Sequence, residues 1–351
     1  MKIAIVGSWV HNQRGKEEFF SKSLEKFSVE IVPFKLSEYF KGRLGNFLSA
    51  LPLPSPLLYR INRELMESLL KEEVDVAFFW NCNHILPSSL QRLREKNVKI
   101  VAYNNDDPFG SVIDNKKPLI HFFQFFWYLS NLKLSDINLV YRPQNIKEAQ
   151  GYSSSSCIIR LFKPYFIPEL HKETNLKLDR CSTDVVFVGH YEDDFRLDCL
   201  EFLFENGIDL SLYGTGWNHL KRSKLIKKNK IVGVYGKKYK ETLESSKICL
   251  SFLSKMNRDV YTRRCFEIPA MKKLLLCERS EEMLEMYVED KEAVFFSNKL
   301  ELLNKVKWLL ANPIIINDIA EAGFQRVYDN KGDVDSRAQQ FLEIIRELQY
   351  D

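Results

Sequence analysis

The feature that most constrains the fold is an alternation of short apolar runs and helical segments, and it occurs twice along the chain. The first series begins at residues 3–6, a continuous apolar run that ends at Gly7 and is typical of a strand buried on both faces. The second series begins at residues 184–189. Strands that alternate with helices at this spacing favour parallel sheets covered by helices. The sequence therefore predicts two successive open α/β domains.

The same patterns predict where the domains end. Residues 1–168 form the first domain, the polar segment 169–183 the linker and residues 184–330 the second domain. Residues 331–351 form a terminal helix that we expect to pack back on the first domain. Residues 41–56, which contain three Pro, are expected to be irregular, and residues 231–234 to form a short strand.

Composition excludes several classes of protein. The chain has 351 residues, of which 45% are hydrophobic, so it can bury large cores and is not a disordered protein. The seven Cys include no Cys-x-x-Cys pair, which argues against a disulfide scaffold and a structural zinc module. The start of the chain is better explained as a core strand than as a signal peptide. We therefore expect a cytoplasmic protein.

Charge is distributed unevenly along the chain. Residues 1–168 carry a net charge of +6 and residues 169–351 a net charge of −2, and residues 221–240 contain nine basic and no acidic residues. This cluster predicts either a solvated loop or contact with phosphate or an anionic membrane surface. The aromatic run 121–128 is either helix core or a surface that faces acceptor or membrane. Few aromatic residues accompany the basic cluster, so no nucleic-acid partner is expected.

An acidic pair eight positions apart, Asp259 and Glu267, follows a predicted strand and enters the next helix. The surrounding segment resembles GT-B glycosyltransferases of the CgeB or spore-maturation type, which are kin of the glycosyl transferases group 1. Nine positions match that pattern: Asn257, Asp259, Thr262, Arg264, Phe266, Glu267, Ile268, Pro269 and Ala270. The resemblance covers about residues 184–328 well, and in the first half it depends mainly on residues 105–108.

The resemblance implies two facing Rossmann-like domains (GT-B architecture) with a C-terminal crossover helix. It also implies transfer of a sugar from a nucleotide-sugar donor to a glycan, lipid-linked or protein acceptor. The nucleotide-sugar is then a co-substrate, and no further cofactor is expected. In this family the spaced acidic pair, here Asp259 and Glu267, grips the donor sugar. A nucleotide-sugar epimerase and a non-catalytic nucleotide- or carbohydrate-binding protein of the same fold are the alternatives.

A diphosphate leaving group gains negative charge as its bond to the sugar breaks, and arginines or helix N-termini can stabilise that charge. Candidate donor-binding residues follow the strands of the second domain: Gly189, His190, Arg196, Tyr213, Gly214, Gly216, Trp217, Asp259, Thr262, Arg264, Glu267 and Glu282. Alternatives remain for several of them. Arg196 and Glu282 are equally explained as surface residues, Trp217 as part of the core, and Glu267 as an acid that stabilises a helix dipole.

The first domain should supply any catalytic base. Asp106 and Asp107 follow a predicted strand and are candidates beside Glu267, although Asp-Asp-Pro is also a good turn. No Asp-x-Asp follows a strand in the manner of a Mg²⁺–diphosphate site, so metal independence is expected. Met271-Lys272-Lys273 departs from the family, which has small residues there, and this departure predicts altered nucleotide choice or lost activity.

Overall fold

The computed structural model describes residues 1–9, 16–81, 83–110, 119–173, 178–220, 223–229 and 231–348. The chain divides into two units, one of residues 1–163 with 335–351 and one of residues 164–334.

The first unit is built on a sheet of six parallel strands in the order β2-β1-β3-β4-β5-β6. The strands are β1 (Lys2–Gly7), β2 (Glu30–Lys35), β3 (Val76–Trp80), β4 (Lys99–Asn104), β5 (Ile137–Val140) and β6 (Ile158–Leu161). The helices are α1 (Lys16–Glu25), α2 (Gly42–Ala50), α3 (Pro56–Lys71), α4 (Pro87–Glu95), α5 (Leu119–Asn131) and α6 (Pro143–Gln150). Single helical turns occupy Leu36–Glu38 and Leu132–Leu134.

The segment expected to be irregular contains α2, so that prediction was wrong. Pro52 and Pro54 come after the helix and Pro56 is the first residue of α3, so no proline interrupts either helix. The Ser55 hydroxyl accepts a hydrogen bond from the Leu58 N–H and caps the start of α3.

The aromatic run in α5 is divided between two faces. His121, Phe125 and Tyr128 are buried, whereas Phe122 and Phe126 are exposed. The sequence left these two environments as alternatives, and the helix contains both.

The second unit is built on a sheet of five parallel strands in the order β11-β10-β9-β7-β8. The strands are β7 (Thr183–Val188), β8 (Leu210–Tyr213), β9 (Ser246–Ser251), β10 (Leu274–Glu278) and β11 (Val294–Phe296). The helices are α7 (Arg196–Glu205), α8 (Lys224–Lys228), α9 (Gly236–Glu244), α10 (Arg264–Ala270), α11 (Glu281–Met286), α12 (Lys299–Ala311) and α13 (Pro313–Asp329), with a single turn at Leu178–Arg180. The connections from β7 and β9 leave in opposite directions, and such a switch point is where open parallel sheets bind ligands.

Residues 231–234 form no strand, which corrects the prediction made for them. The Val232 carbonyl instead accepts a hydrogen bond from the Gly214 N–H at 3.0 Å. The segment therefore lies against the loop that follows β8.

Aromatic side chains form much of the core below the switch point. The Phe187 ring contacts Phe252 and Trp217 edge-to-face, with centroids 5.2 and 6.2 Å apart. Such pairs contribute about 1 kcal/mol each beyond the area they bury. The ends of β7 and β9 therefore rest on a tightly packed base.

The last helix, α14 (Val334–Glu347), packs on the first unit. The Phe341 ring lies 4.7 Å from Phe78 and 5.4 Å from Phe20, and Lys26 forms an ion pair with Asp335 at 2.7 Å. Residues 164–173, which overlap the predicted linker, belong to the second unit, where the Phe166 N–H donates to the Gly332 carbonyl at 2.9 Å. In the described part of the chain, no helix has both the length and the apolar character needed to cross a membrane.

Candidate functional site

Arg196, at the start of α7, joins the loops that follow β7 and β9. Its side chain is buried, and Nε and Nη2 each bind the Asp194 carboxylate at 2.8 Å. Its Nη1 donates to the His190 carbonyl at 2.9 Å, while Nη2 lies 3.4 Å from the Leu253 carbonyl oxygen. Arg196 was predicted to contact the donor phosphate or to be a solvated surface residue. The geometry instead favours a positioning role, because its guanidinium is enclosed by protein groups.

Glu192 is a buried carboxylate at the same switch point. Its Oε2 accepts a hydrogen bond from the Lys255 N–H at 3.1 Å and lies 3.2 Å from Nη2 of Arg196. Burial alone would raise the pKa of Glu192, but His190, Arg196 and Ser254 lower it to about 2. The Glu192 carboxylate is therefore ionised at neutral pH. Sequence reasoning missed Glu192, since nothing in its spacing distinguishes it from Asp193 and Asp194, which follow it.

A second buried carboxylate holds the β9 loop from the other side. Glu278, the last residue of β10, accepts a hydrogen bond from the Leu253 N–H at 3.0 Å and pairs with the Lys255 ammonium. Lys255 also lies over the Phe195 ring, 5.5 Å from its centroid. Two buried acids thus fix a loop whose exposed end carries a lysine.

Glycine is required where the loops after β7 and β8 meet. Gly214 has φ +140°, and a Cβ there would lie 1.8 Å from the Gly189 carbonyl oxygen. That oxygen accepts a hydrogen bond from Trp217 Nε1 at 2.9 Å, and the Trp217 side chain is fully buried. Trp217 therefore supports the loop from the core. Gly216 (φ +81°) and the half-buried Tyr213 complete this turn.

Glu267, in the first turn of α10, is buried and makes three polar contacts. Its Oε2 accepts a hydrogen bond from the Tyr239 hydroxyl at 2.8 Å, and its Oε1 lies 3.1 Å from Arg263 Nε and 3.7 Å from His171 Nε2. Burial would raise the pKa of Glu267, but Arg263, His171 and Tyr239 together hold it below its usual range. Both oxygens retain lone pairs for a ligand hydroxyl.

His171 was not predicted, because it lies in the segment taken as the linker. Its Nδ1 accepts a hydrogen bond from the Ile167 N–H at 2.9 Å, so the neutral ring presents an Nε2–H toward Glu267. Burial lowers the pKa of His171, which keeps the ring neutral at physiological pH.

Three further predicted residues, Arg264, Thr262 and Asp259, lie in or just before α10. The Nε of Arg264 is buried without a hydrogen-bond partner, which is unusual for a charged donor. Thr262 is buried, with its hydroxyl 3.4 Å from that of Ser251. Asp259 is half-buried, and its N–H donates to the Ser254 carbonyl at 2.8 Å.

Other predicted residues lie at the margin of this group. His190 is exposed, with Nε2 3.0 Å from Glu192 Oε1. Glu282 is half-buried in the first turn of α11.

The two lysines that depart from the family pattern are engaged in other contacts. The Lys272 ammonium pairs with Glu173 at 3.0 Å and Glu321 at 2.5 Å. Lys273 is buried and donates to the Glu244 carbonyl at the end of α9 at 3.2 Å. Both ammonium groups therefore stabilise the structure around α10.

The corresponding edge of the first unit is held by amide side chains. Asn81 and Asn105 exchange two hydrogen bonds, of 2.6 and 2.9 Å, between the ends of β3 and β4. Asp107 is fully buried, and its Oδ1 accepts from the Phe109 N–H and from Asn145 Nδ2, so its position fits a turn rather than a catalytic base. Asp106 is half-buried and is the candidate that remains.

Within the described ranges, no group of three or more His, Cys, Asp or Glu side chains has an arrangement that could hold a metal ion.

Comparisons with known proteins relate this chain to glycosyltransferases. A family model described as glycosyl transferase-like matches residues 196–343. No curated protein matches the chain in sequence.

Three solved structures are similar to it over nearly the whole length. Sucrose-phosphate synthase from Thermosynechococcus elongatus has a TM-score of 0.71 at 13% identity and covers 100% of this chain and 99% of its own. A glycosyltransferase from Rickettsia africae has a TM-score of 0.66 at 14% identity, with 99% and 98% covered. HepE from Anabaena, solved with UDP-glucose, has a TM-score of 0.69 at 10% identity, with 99% and 100% covered.

The predicted fold class is therefore confirmed: this chain has the GT-B fold, and its residues 196–343 match the glycosyl transferase-like family model.

Proposed function

We propose that the chain transfers a sugar from a nucleotide-sugar to an acceptor hydroxyl, as an enzyme of the CgeB or spore-maturation branch. The observation that carries the proposal is the buried, charged Glu267 beside Arg263 and the unpartnered Nε of Arg264. Carboxylate oxygens accept hydrogen bonds from sugar or ribose hydroxyls, and guanidinium groups bind phosphate. Both chemistries adjoin the switch point of the second sheet.

The donor's diphosphate is proposed to lie near Gly189, Gly214 and Arg264. As the bond from the anomeric carbon to the diphosphate breaks, the Arg264 guanidinium stabilises the developing negative charge. Glu267 and Asp259 hold the hydroxyls of the donor. Arg196 and Glu192 keep both loops in place without touching the donor.

The acceptor is proposed to bind the first unit at the ends of β3 and β4. Its hydroxyl oxygen forms the new bond to the anomeric carbon. Where attack comes from the face opposite the diphosphate, Asp106 takes the proton; where it comes from the same face, a phosphate oxygen takes it. The amides of Asn81 and Asn105 suit a hydroxyl-rich glycan, whether free, lipid-linked or on a protein.

A donor panel tests this function. UDP-, GDP-, ADP- and dTDP-sugars are incubated with the protein, with and without glycan acceptors, and nucleoside diphosphate release is measured. UDP-glucose comes first, because HepE was solved with it. Release of a nucleoside diphosphate supports a transferase. An isomerised nucleotide-sugar with no release would indicate an epimerase, and binding without turnover would indicate a non-catalytic protein.

The reaction is proposed to need no metal, because Arg264 adjoins the position assigned to the diphosphate. Activity on the best donor should therefore survive EDTA. A loss of about tenfold or more that Mn²⁺ restores would contradict this, since a metal would then be supplying the charge assigned to Arg264.

Peripheral membrane contact and a cytoplasmic location also remain proposals. The basic cluster of residues 221–240 supports membrane contact only weakly. Within α9, Lys237 and Lys240 pair with Glu241 and Glu244 at 3.5 and 3.4 Å. Three of its basic residues lie outside the described ranges: Lys221, Arg222 and Lys230.

A further inference from the structure

Two buried cysteines of the second unit lie against each other. Cys265 is in α10 and Cys277 is in β10, and their Sγ atoms are 3.7 Å apart. Both side chains are fully buried, and no step of the proposed transfer uses either thiol. The sulfurs of a disulfide are about 2.05 Å apart, so this pair is within about 2 Å of the bonding distance.

The surroundings of the two sulfurs make the thiols chemically different. The Thr262 N–H donates to the Cys265 sulfur at 3.5 Å, and the Thr262 hydroxyl lies 3.7 Å from it. Burial would raise the pKa of the Cys265 thiol, but hydrogen bonds from Cys277 and Thr262, together with the charge of Arg264, lower it below its ordinary value. Burial raises the pKa of Cys277 well above the ordinary value. Cys265 is therefore the thiol that ionises first and acts as the nucleophile.

A proline loosens the turn that carries Cys265. Pro269 lies inside α10 and has no N–H to donate to the Cys265 carbonyl, four residues earlier. The Tyr287 hydroxyl donates to that carbonyl instead, at 2.8 Å. Because a side chain replaces a backbone hydrogen bond in a helix of seven residues, this turn can shift by the small distance that a disulfide requires. It can also open locally to a molecule of the size of water.

We propose that Cys265 and Cys277 form a reversible disulfide in the presence of hydrogen peroxide, and that this bond switches off the donor site. The Cys265 thiolate attacks one peroxide oxygen, the O–O bond breaks, and hydroxide leaves to give a sulfenic acid. The Cys277 sulfur then attacks the Cys265 sulfur, and its proton and the sulfenic hydroxyl leave as water. In sum, two thiols are oxidised and one hydrogen peroxide is reduced, giving one disulfide and two waters.

The disulfide acts on the donor site through α10. Arg264 directly precedes Cys265, and Glu267 follows two residues later. Glu267 lies 2.8 Å from the Tyr239 hydroxyl and 3.1 Å from Arg263, and a shift of about 1 Å breaks contacts of this length. A displacement of about 1 Å can lower an enzyme's rate about a hundredfold. The effect on turnover rests on the proposed function, whereas formation of the disulfide does not.

Peptide mapping of the full chain tests bond formation. The protein is treated with hydrogen peroxide, alkylated under denaturing conditions and digested with trypsin, which places the two cysteines on separate peptides, residues 265–272 and 274–279. Mass spectrometry should find these two peptides joined, and dithiothreitol should separate them. Cys265→Ala should give no joined peptide. The matched control is Cys199→Ala, which removes another buried thiol of the second unit and should give the wild-type yield.

Nucleoside diphosphate release from the best donor tests the effect on turnover. Peroxide-treated wild type and Cys199→Ala should each be about tenfold slower than their untreated forms, and dithiothreitol should restore both rates. Cys265→Ala should keep its untreated rate after the same treatment.

The outcomes separate this proposal from the transferase function. Wild-type protein that gives no joined peptide after treatment would overturn the proposal. Joined peptides with unchanged turnover would overturn the switch. No turnover of any donor by the reduced protein would refute the transferase and the switch with it, whereas the joined peptide would still establish the disulfide.

Discussion

The two units use different side chains at corresponding edges of their sheets. In the second unit, the loops after β7 and β9 are held by buried ionic groups, in which Arg196 contacts Glu192 and Asp194. In the first unit, Asn81 and Asn105 bond reciprocally between the ends of β3 and β4. The buried Arg142 also donates to the Asn105 carbonyl at 3.1 Å. Both devices fix loops at the carboxyl ends of strands.

The difference reflects what each edge is proposed to bind. A preorganised ionic network holds cations in fixed positions, where they can stabilise the negative charge of a diphosphate. Amide side chains offer both donors and acceptors, which suits the hydroxyls of a sugar acceptor. If this comparison holds, substitutions at the charged edge should affect donor use and substitutions at the amide edge should affect acceptor use.

The largest effect is expected at Glu267. Glu267→Gln keeps the shape but removes the charge that Arg263 and His171 face, and turnover should fall about a hundredfold or more. Initial rates on the best donor measure this. Glu285→Gln on α11, an exposed carboxylate, is the control and should keep wild-type rates. Full activity in Glu267→Gln would refute the donor role.

A second comparison separates the two aspartates of the first unit. Asp106→Asn should lower transfer about a hundredfold, provided Asp106 takes the acceptor proton. Asp107→Asn should instead destabilise the first unit by about 1–3 kcal/mol, because buried Asp107 accepts hydrogen bonds from Phe109 and Asn145. Transfer assays and urea unfolding measure both variants. A loss of transfer in Asp107→Asn together with a loss of stability in Asp106→Asn would assign proton transfer to Asp107 and the structural role to Asp106.

Much of the fold could be predicted because its causes are local. Continuous apolar runs predicted β1 and β7, whereas the α2 helix was missed because prolines after it masked its end. The site was harder. The positions of Glu192 and His171 depend on contacts between residues far apart in the chain, which no local spacing encodes.

The buried carboxylate at Glu192 predicts a dependence of stability on pH. Its pKa is about 2 in the folded chain against an ordinary value of 4.5, so its stabilisation is complete above pH 4.5 and is lost as the pH falls toward 2. Glu192→Gln should be less stable than the wild type by about 2–3 kcal/mol at pH 7, and the difference should shrink on acidification through this window. Urea unfolding between pH 7 and the acid limit of folding measures it. A difference that stays constant with pH would show that Glu192 acts through shape alone.

The smallest effect is expected at Lys272, which adopts the left-handed conformation that glycine favours after a helix, with φ +57°. Lys272→Gly relieves this strain but loses the ion pairs with Glu173 and Glu321, so its net change should be within about 0.5 kcal/mol. Lys272→Ala loses the same pairs and keeps the strain, so it should be less stable than Lys272→Gly by about 1 kcal/mol. Thermal unfolding of both variants measures this difference. Since the ammonium is engaged with Glu173 and Glu321, neither variant should change the KM for the donor. An altered KM would mean that the lysine pair shapes donor binding and that the charged edge extends beyond the switch point.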